Sequence, residues 1–100
     1  MDKSVPKEFY VSILPITIGR MACTKPDFLC IDEFDSTLSR SHMKISYDGT
    51  NFLATCLSKN GLIVDKLRIE KDGVAVLVDG SAIKLGKCRL YFITPSNFTI

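Results

Sequence analysis

The feature that most restricts this chain is the spacing of its apolar residues, which recur at every second position in short runs. Phe9, Val11 and Ile13 make one run and Ile16 and Ile18 the next. Met43, Ile45 and Tyr47, then Phe52, Ala54 and Cys56, then Ile83 and Leu85, then Cys88, Leu90 and Phe92 continue the pattern. A period of two places alternate side chains on one face of a strand, and the β-branched and aromatic residues in these runs suit that geometry. Between the runs, "YDGTN" at 47–51, "KNG" at 59–61, "KDG" at 71–73 and "VDG" at 78–80 pair Asp or Asn with Gly. That pairing supplies the positive φ of tight turns, and Asn-Gly between two apolar runs is the strongest short hairpin signal. The pattern predicts a meander of short antiparallel strands. Strands so many and so short cannot bury their apolar faces in one open sheet, so the expected fold is all-β, a two-sheet antiparallel β-sandwich.

Length and composition narrow the functional classes. One hundred residues suit a single domain, 1–100, able to bury about two-thirds of the surface of its unfolded chain. With 46% hydrophobic residues and only 6 Gly and 4 Pro, a packed core is expected, not a disordered tail. Cys23, Cys30, Cys56 and Cys88 lack the short pairwise spacing of zinc sites, and the single His42 cannot complete a ligand set, so no metal is expected. Cys56 and Cys88 sit in alternating apolar runs, where a thiol acts as a small buried hydrophobe, which favours a reducing, intracellular setting. No apolar run approaches the roughly 18 residues of a membrane span, and "MDKSVPKEF" lacks a signal-peptide core. A net charge of +2 gives no broad cationic surface, so affinity for anions must come from local clustering. The longest non-strand segment, 21–40, is broken only by "FLCID" and precedes the densest polar cluster, "LSRSHMK" at 38–44. Long loops on rigid sheets are where binding residues gather.

Three motifs fall in order along the chain: "ITIGR" ending at Gly19 and Arg20, "LSRSHMKISY" with Ser39 and His42, and "LSKNGLIV" with Asn60 and Gly61. Gly-Arg at a strand end, Ser-x-x-His about twenty residues on and Asn-Gly about twenty after that resembles the forkhead-associated (FHA) domain, a β-sandwich module that binds phosphothreonine peptides through loops at one end. The resemblance covers roughly residues 9–93 and includes the closing "IKLGKCRLYF". "LSRSHMKISY" followed by "FLATCLSKNGLIVD" is similar to the FHA domains of forkhead-type transcription factors, which implies a nuclear protein. No winged-helix segment is visible in these residues, which fits an excised domain of a longer regulator.

Carried onto matching positions, the resemblance implies a phosphopeptide site made of Arg20, Ser39, Arg40, Lys59 and Asn60, supported by Gly19, His42, Ser58 and Gly61. Ser39 would donate its hydroxyl to the phosphate and Arg40 a guanidinium or backbone contact. Asn60 would hold the peptide main chain through its amide, and Gly61 would set the loop geometry. A phosphothreonine carries about −1.5 to −2 charges, and two or three charge-assisted hydrogen bonds to it imply a dissociation constant on the order of micromolar.

Two departures from the family pattern stand out. Lys59 stands where many members have a phosphate-contacting threonine, and Asp65 and Lys66 replace a common Asn-Gly. Lys44 and Lys84 alternate with apolar neighbours and read as solvated, and Ser41 reads as a turn residue. Ser39 and His42 are not read as nucleophile and base, because residues i and i+3 at the start of a strand do not face one another and no orienting acid is fixed nearby. Without paired carboxylates, a nucleotide loop or a metal cluster, the chain is not expected to be an enzyme or to carry a cofactor. The expected partner is a phosphothreonine protein. Direct nucleic-acid binding through Arg20, Arg40, Lys44 and Lys59, or phosphate-independent docking on the same fold, are the alternatives.

Overall fold

In a computed structural model, residues 8–94 are described, and they form nine strands and no helix. The strands are β1 (Ile16–Gly19), β2 (Phe28–Cys30), β3 (Met43–Tyr47), β4 (Phe52–Cys56), β5 (Leu62–Val64), β6 (Leu67–Ile69), β7 (Val74–Leu77), β8 (Ser81–Leu85) and β9 (Cys88–Phe92). They make a five-stranded sheet in the order β2-β1-β3-β4-β7 and a four-stranded sheet in the order β6-β5-β8-β9. Every pairing is antiparallel except β1 with β2, which run parallel.

The alternation dictates the packing. Ile16, Ile18, Met43, Ile45, Ala54 and Cys56 of the larger sheet are buried with Leu62, Val64, Ile69, Ile83 and Leu85 of the smaller one in a single core. Intervening residues such as Lys44 and Lys84 lie outside that buried set. Leu38, in the loop before β3, is 1% exposed and joins the core, so the loop that follows the long polar segment has an apolar anchor.

Two sequence expectations need correction. The first apolar run does not form a strand: Phe9, Val11 and Ile13 are 39%, 42% and 43% exposed. Both edges of β1 are already taken, by β2 and β3, and a strand without a neighbour leaves its backbone groups unpaired. The chain is also not a simple meander. Of the four Asp-Gly or Asn-Gly turns, only the one at 48–49 closes a hairpin, β3 to β4, where the Asp48 carboxylate accepts from the N–H groups of Thr50 and Asn51 at 2.8 and 2.7 Å. The turns at 59–61, 71–73 and 78–80 instead carry the chain from one sheet to the other.

The hairpins of the smaller sheet turn at Asp65-Lys66 and Gly86-Lys87. Asp65 and Lys66 adopt φ of 50° and 74°, the two successive positive values of a type I′ turn, without any glycine. The Asp65 carboxylate offsets that strain by accepting from Ser81 Oγ and from the N–H of Ala82, both at 2.9 Å.

Truncating Ile83, 1% exposed in the centre of the core, to alanine is expected to destabilise the domain by about 2–5 kcal/mol in urea unfolding. Tyr10→Ser, at a side chain 88% exposed, is expected to stay within about 0.5 kcal/mol.

Candidate functional site

The end of β1 is stitched to the loop before β3 by main-chain hydrogen bonds. Arg20 N–H donates to Ser39 O at 3.0 Å, Met21 N–H to Arg40 O at 3.3 Å, and His42 N–H to Ile18 O at 2.9 Å. This approach is close enough to exclude any side chain at position 19: a Cβ there would sit 2.1 Å from Arg40 O and 2.9 Å from Ser39 O. Gly19 is therefore demanded by the packing of one backbone on another, not by its φ. Arg20 reaches back across the same seam, its Nε donating to Leu38 O at 2.8 Å. Its terminal guanidinium nitrogens have no hydrogen bond or ion pair among the described residues.

His42 is completely buried and joins two loops. Its Nδ1 accepts the backbone N–H of Ser39 at 3.0 Å, and its Nε2 lies 2.8 Å from Gly61 O. A carbonyl can only accept, so the ring is the Nε2–H tautomer, satisfied at both nitrogens by main chain. Neither nitrogen is directed at the Ser39 hydroxyl, which removes the geometry a nucleophile and base require.

Ser39 Oγ lies 2.5 Å from the buried Ser58 Oγ, which also accepts the N–H of Asn60 at 3.0 Å. Gly61 N–H donates to Ser58 O at 3.0 Å and completes the turn. Gly61 has φ of 75°, which favours glycine, and a Cβ there would also displace the Arg68 guanidinium, 2.7 Å away at Nη2. The Asn60 amide donates to Thr37 O at 3.4 Å, while its backbone carbonyl accepts from Arg68 Nη2 at 3.2 Å.

The structure thus brings together, at one end of the sandwich, Gly19, Arg20, Ser39, Arg40, His42, Ser58, Lys59, Asn60 and Gly61. Arg40 and Lys59 are exposed; Arg40 makes one long contact, Nη2 to Met21 Sδ at 3.9 Å, and Lys59 makes none among the described residues. The one ion pair among the described residues joins Arg68 to Glu70, so Arg20, Arg40 and Lys59 form a cationic rim with no carboxylate pairing them.

A second set of residues, invisible to motif reading, holds the Ser39 loop down. Asp35, 8% exposed, accepts at Oδ1 from the N–H and hydroxyl of Thr37 and at Oδ2 from the N–H of Lys87 at 3.0 Å. The Thr37 hydroxyl is the main cause that lowers its pKa from 3.8 to about 2, with the backbone donors adding to it against the opposing effect of burial. Gly86, at φ of 59°, admits the loop because a Cβ would meet Thr37 Oγ1 at 2.7 Å and Leu38 N at 3.1 Å. Burial, aided by the nearby Asp35 charge, pushes the Cys88 thiol up to about 11. It therefore stays protonated at neutral pH and is a poor nucleophile. All four cysteines are free thiols. "DST" at 35–37 is a legible Asx-turn signature, but nothing in it points to Gly86 and Lys87, fifty residues away.

Two outcomes follow. Gly19→Ala is expected to cost about 1–3 kcal/mol in urea unfolding, because Arg40 O must move away from the new methyl. The folded pKa of Asp35, about 2, lies below its ordinary 3.8, so its stabilisation is complete above about pH 4 and lost as pH falls through about 2. The stability difference between the native domain and Asp35→Asn should accordingly be constant above that window and shrink within it, as read by urea unfolding across a pH series.

Comparison with known proteins matches this geometry. A sequence model of the FHA domain matches residues 16–86, a span that includes all three motif segments and the Gly86 turn. The chain is 34% identical over 94 residues to the fork-head transcriptional regulator FHL1 of Candida albicans, covering 89% of this chain and 8% of that protein. Among solved structures it resembles a chain from a structural and functional analysis of phosphothreonine-dependent FHA domain interactions, with TM-score 0.71, 25% identity and coverage of 94% of this chain and 91% of the other. It also resembles the FhaA FHA domain complexed with the intracellular domain of Rv3910, with TM-score 0.66, 27% identity and coverage of 88% and 89%. The chain belongs to the forkhead-associated domain family of phosphothreonine-peptide-binding modules.

Proposed function

We propose that residues 1–100 act as one FHA domain, a non-enzymatic adaptor that binds phosphothreonine segments at its loop end. Its proposed setting is the nucleus, within a forkhead-type transcriptional regulator. The observation that carries this reading is the unpaired cationic rim of Arg20, Arg40 and Lys59 around the Ser39 hydroxyl. Cations gathered on one loop surface without internal carboxylates suit a dianionic ligand.

The hydrogen-bond network is compatible with a donor role for Ser39, since either hydroxyl can donate in its contact with Ser58. With Asn60 N–H donating to Ser58 Oγ, the Ser58 hydroxyl can pass its own proton to Ser39 Oγ. The Ser39 proton is then free to point at a phosphate oxygen, and the chain of donors strengthens it. Arg20, held at Nε, keeps its terminal nitrogens for ligand, and Arg40 adds a second guanidinium. Lys59 contributes a point charge on a flexible stem where a short hydroxyl is common in the family. Asn60 is available to the peptide main chain, since its one amide contact, to Thr37 O, is long at 3.4 Å. His42 holds the loops through the main chain and touches no ligand.

The test is fluorescence anisotropy with matched phosphothreonine, phosphoserine and unphosphorylated peptide libraries. Micromolar binding restricted to phosphothreonine is expected, with Ser39→Ala and Arg40→Ala each weakening it about tenfold or more, the equivalent of one charge-assisted hydrogen bond. Binding indifferent to phosphate, or unaffected by both substitutions, overturns the proposal.

A further inference from the structure

The outer face of the four-stranded sheet carries a row of cations that the phosphate site does not use. Register places Ile63 opposite both Arg68 and Lys84, and Lys84 opposite Arg89, so Arg68, Ile63, Lys84 and Arg89 form one line across β6, β5, β8 and β9. Their sequence neighbours Leu62, Ile69, Ile83 and Leu85 are buried in the core, which fixes the row on the outward side.

Directly opposed like charges destabilise a sheet, yet Lys84 and Arg89 stand face to face. No carboxylate among the described residues relieves them. Glu70 is bonded to Arg68 at 2.7 Å, Asp65 is committed to Ser81 and Ala82, and Asp32 and Asp35 line a separate depression with Lys87 and Cys88.

The row is joined to the phosphate site. A depression of about 350 Å³ is lined by Thr37, Asn60 and Gly61 on the loop side and by Ile63, Arg68 and Lys84 on the sheet side. A peptide held at Asn60 has an open path along it. Three inter-strand spacings make the row about 14 Å long, the reach of about four extended residues.

We infer that Lys84 and Arg89, with Arg68 beside them, form a docking track for an Asp/Glu-rich stretch flanking the phosphothreonine in the same peptide. This inference rests on the phosphothreonine reading of the loop site. Exposed ion pairs here supply selectivity and a salt-dependent gain, while the phosphate supplies the anchor.

Anisotropy with four phosphothreonine peptides tests it, carrying three Glu or three Gln residues on the N-terminal or the C-terminal side. On one side, the Glu flank should bind the native domain about three- to tenfold more tightly than the Gln flank at low salt, as two exposed ion pairs imply. The double variant Lys84→Gln/Arg89→Gln should lose that gain, bind the Gln-flanked peptides unchanged and unfold at a temperature no lower than that of the native domain, since the opposed charges are gone. Equal affinity for Glu and Gln flanks on both sides, or a gain that survives in the double variant, overturns the inference. So does a duplex DNA oligonucleotide whose binding the double variant weakens more than that of the Glu-flanked peptide. Failure of the loop-site reading is distinct: there, no peptide discriminates phosphorylated from unphosphorylated threonine.

Discussion

The imidazole of His42 is the joint on which the binding end depends. It is fully enclosed, and it spends one nitrogen on the N–H of Ser39 and the other on the carbonyl of Gly61, bringing the loop before β3 against the loop before β5. Both partners are main chain, so this joint uses none of the side chains of Ser39, Arg40, Lys59 and Asn60, although the Ser39 hydroxyl and the Asn60 amide add contacts to Ser58 Oγ and Thr37 O across the same two loops. A buried ring with an unmet nitrogen is costly, so the two loops hold their spacing through the same bonds that satisfy the histidine. Gly19 completes the joint from the other side by letting the Ser39-Arg40 backbone lie against β1 with no Cβ between them. A floor made of backbone positions a rim made of side chains.

The passage between sheets explains where the site lies. The chain leaves β4 in the larger sheet and starts β5 in the smaller one through Ser58–Gly61, and that crossover is itself part of the binding end. A hairpin at Asn60-Gly61 would have kept β5 beside β4 and moved Asn60 away from Thr37 and the Ser39 loop. Gly61 therefore serves the crossing: its positive φ redirects the chain, and its missing side chain admits Arg68.

Much of this was legible in the sequence, for identifiable reasons. Alternation exposed β1, β3, β4, β8 and β9 but not β2, β5, β6 and β7, whose three or four residues are too few to show a period, and the spacing of Gly19-Arg20, Ser39-x-x-His42 and Asn60-Gly61 located the loops that converge. Alternation misled at Phe9, Val11 and Ile13, where periodicity is present but the run joins no strand of either sheet and its side chains stay part-exposed. Asn-Gly misled at 60–61 because a turn signal reports a local change of direction, not which sheet receives the next strand. The parallel pairing of β1 with β2 and the bond from Asp35 to the Lys87 backbone were beyond sequence reading, since each depends on a contact between segments whose local pattern does not name the partner.

The Asp35 contact has a consequence for how portable this recognition surface is. Residues 19–61 contain every side chain of the proposed phosphate rim, yet the loop at their centre is pinned by the Gly86-Lys87 turn near the far end of the chain. A contiguous fragment grafted onto another scaffold would carry the chemistry without the clamp, and Leu38 would lose the second sheet that buries it. The arrangement of the loop end is a property of chain closure: it exists only after the last hairpin has folded back onto the first long loop. Insertions and permutations that leave the rim intact but separate 35 from 87 are therefore disruptive in a way that no inventory of ligand contacts reveals.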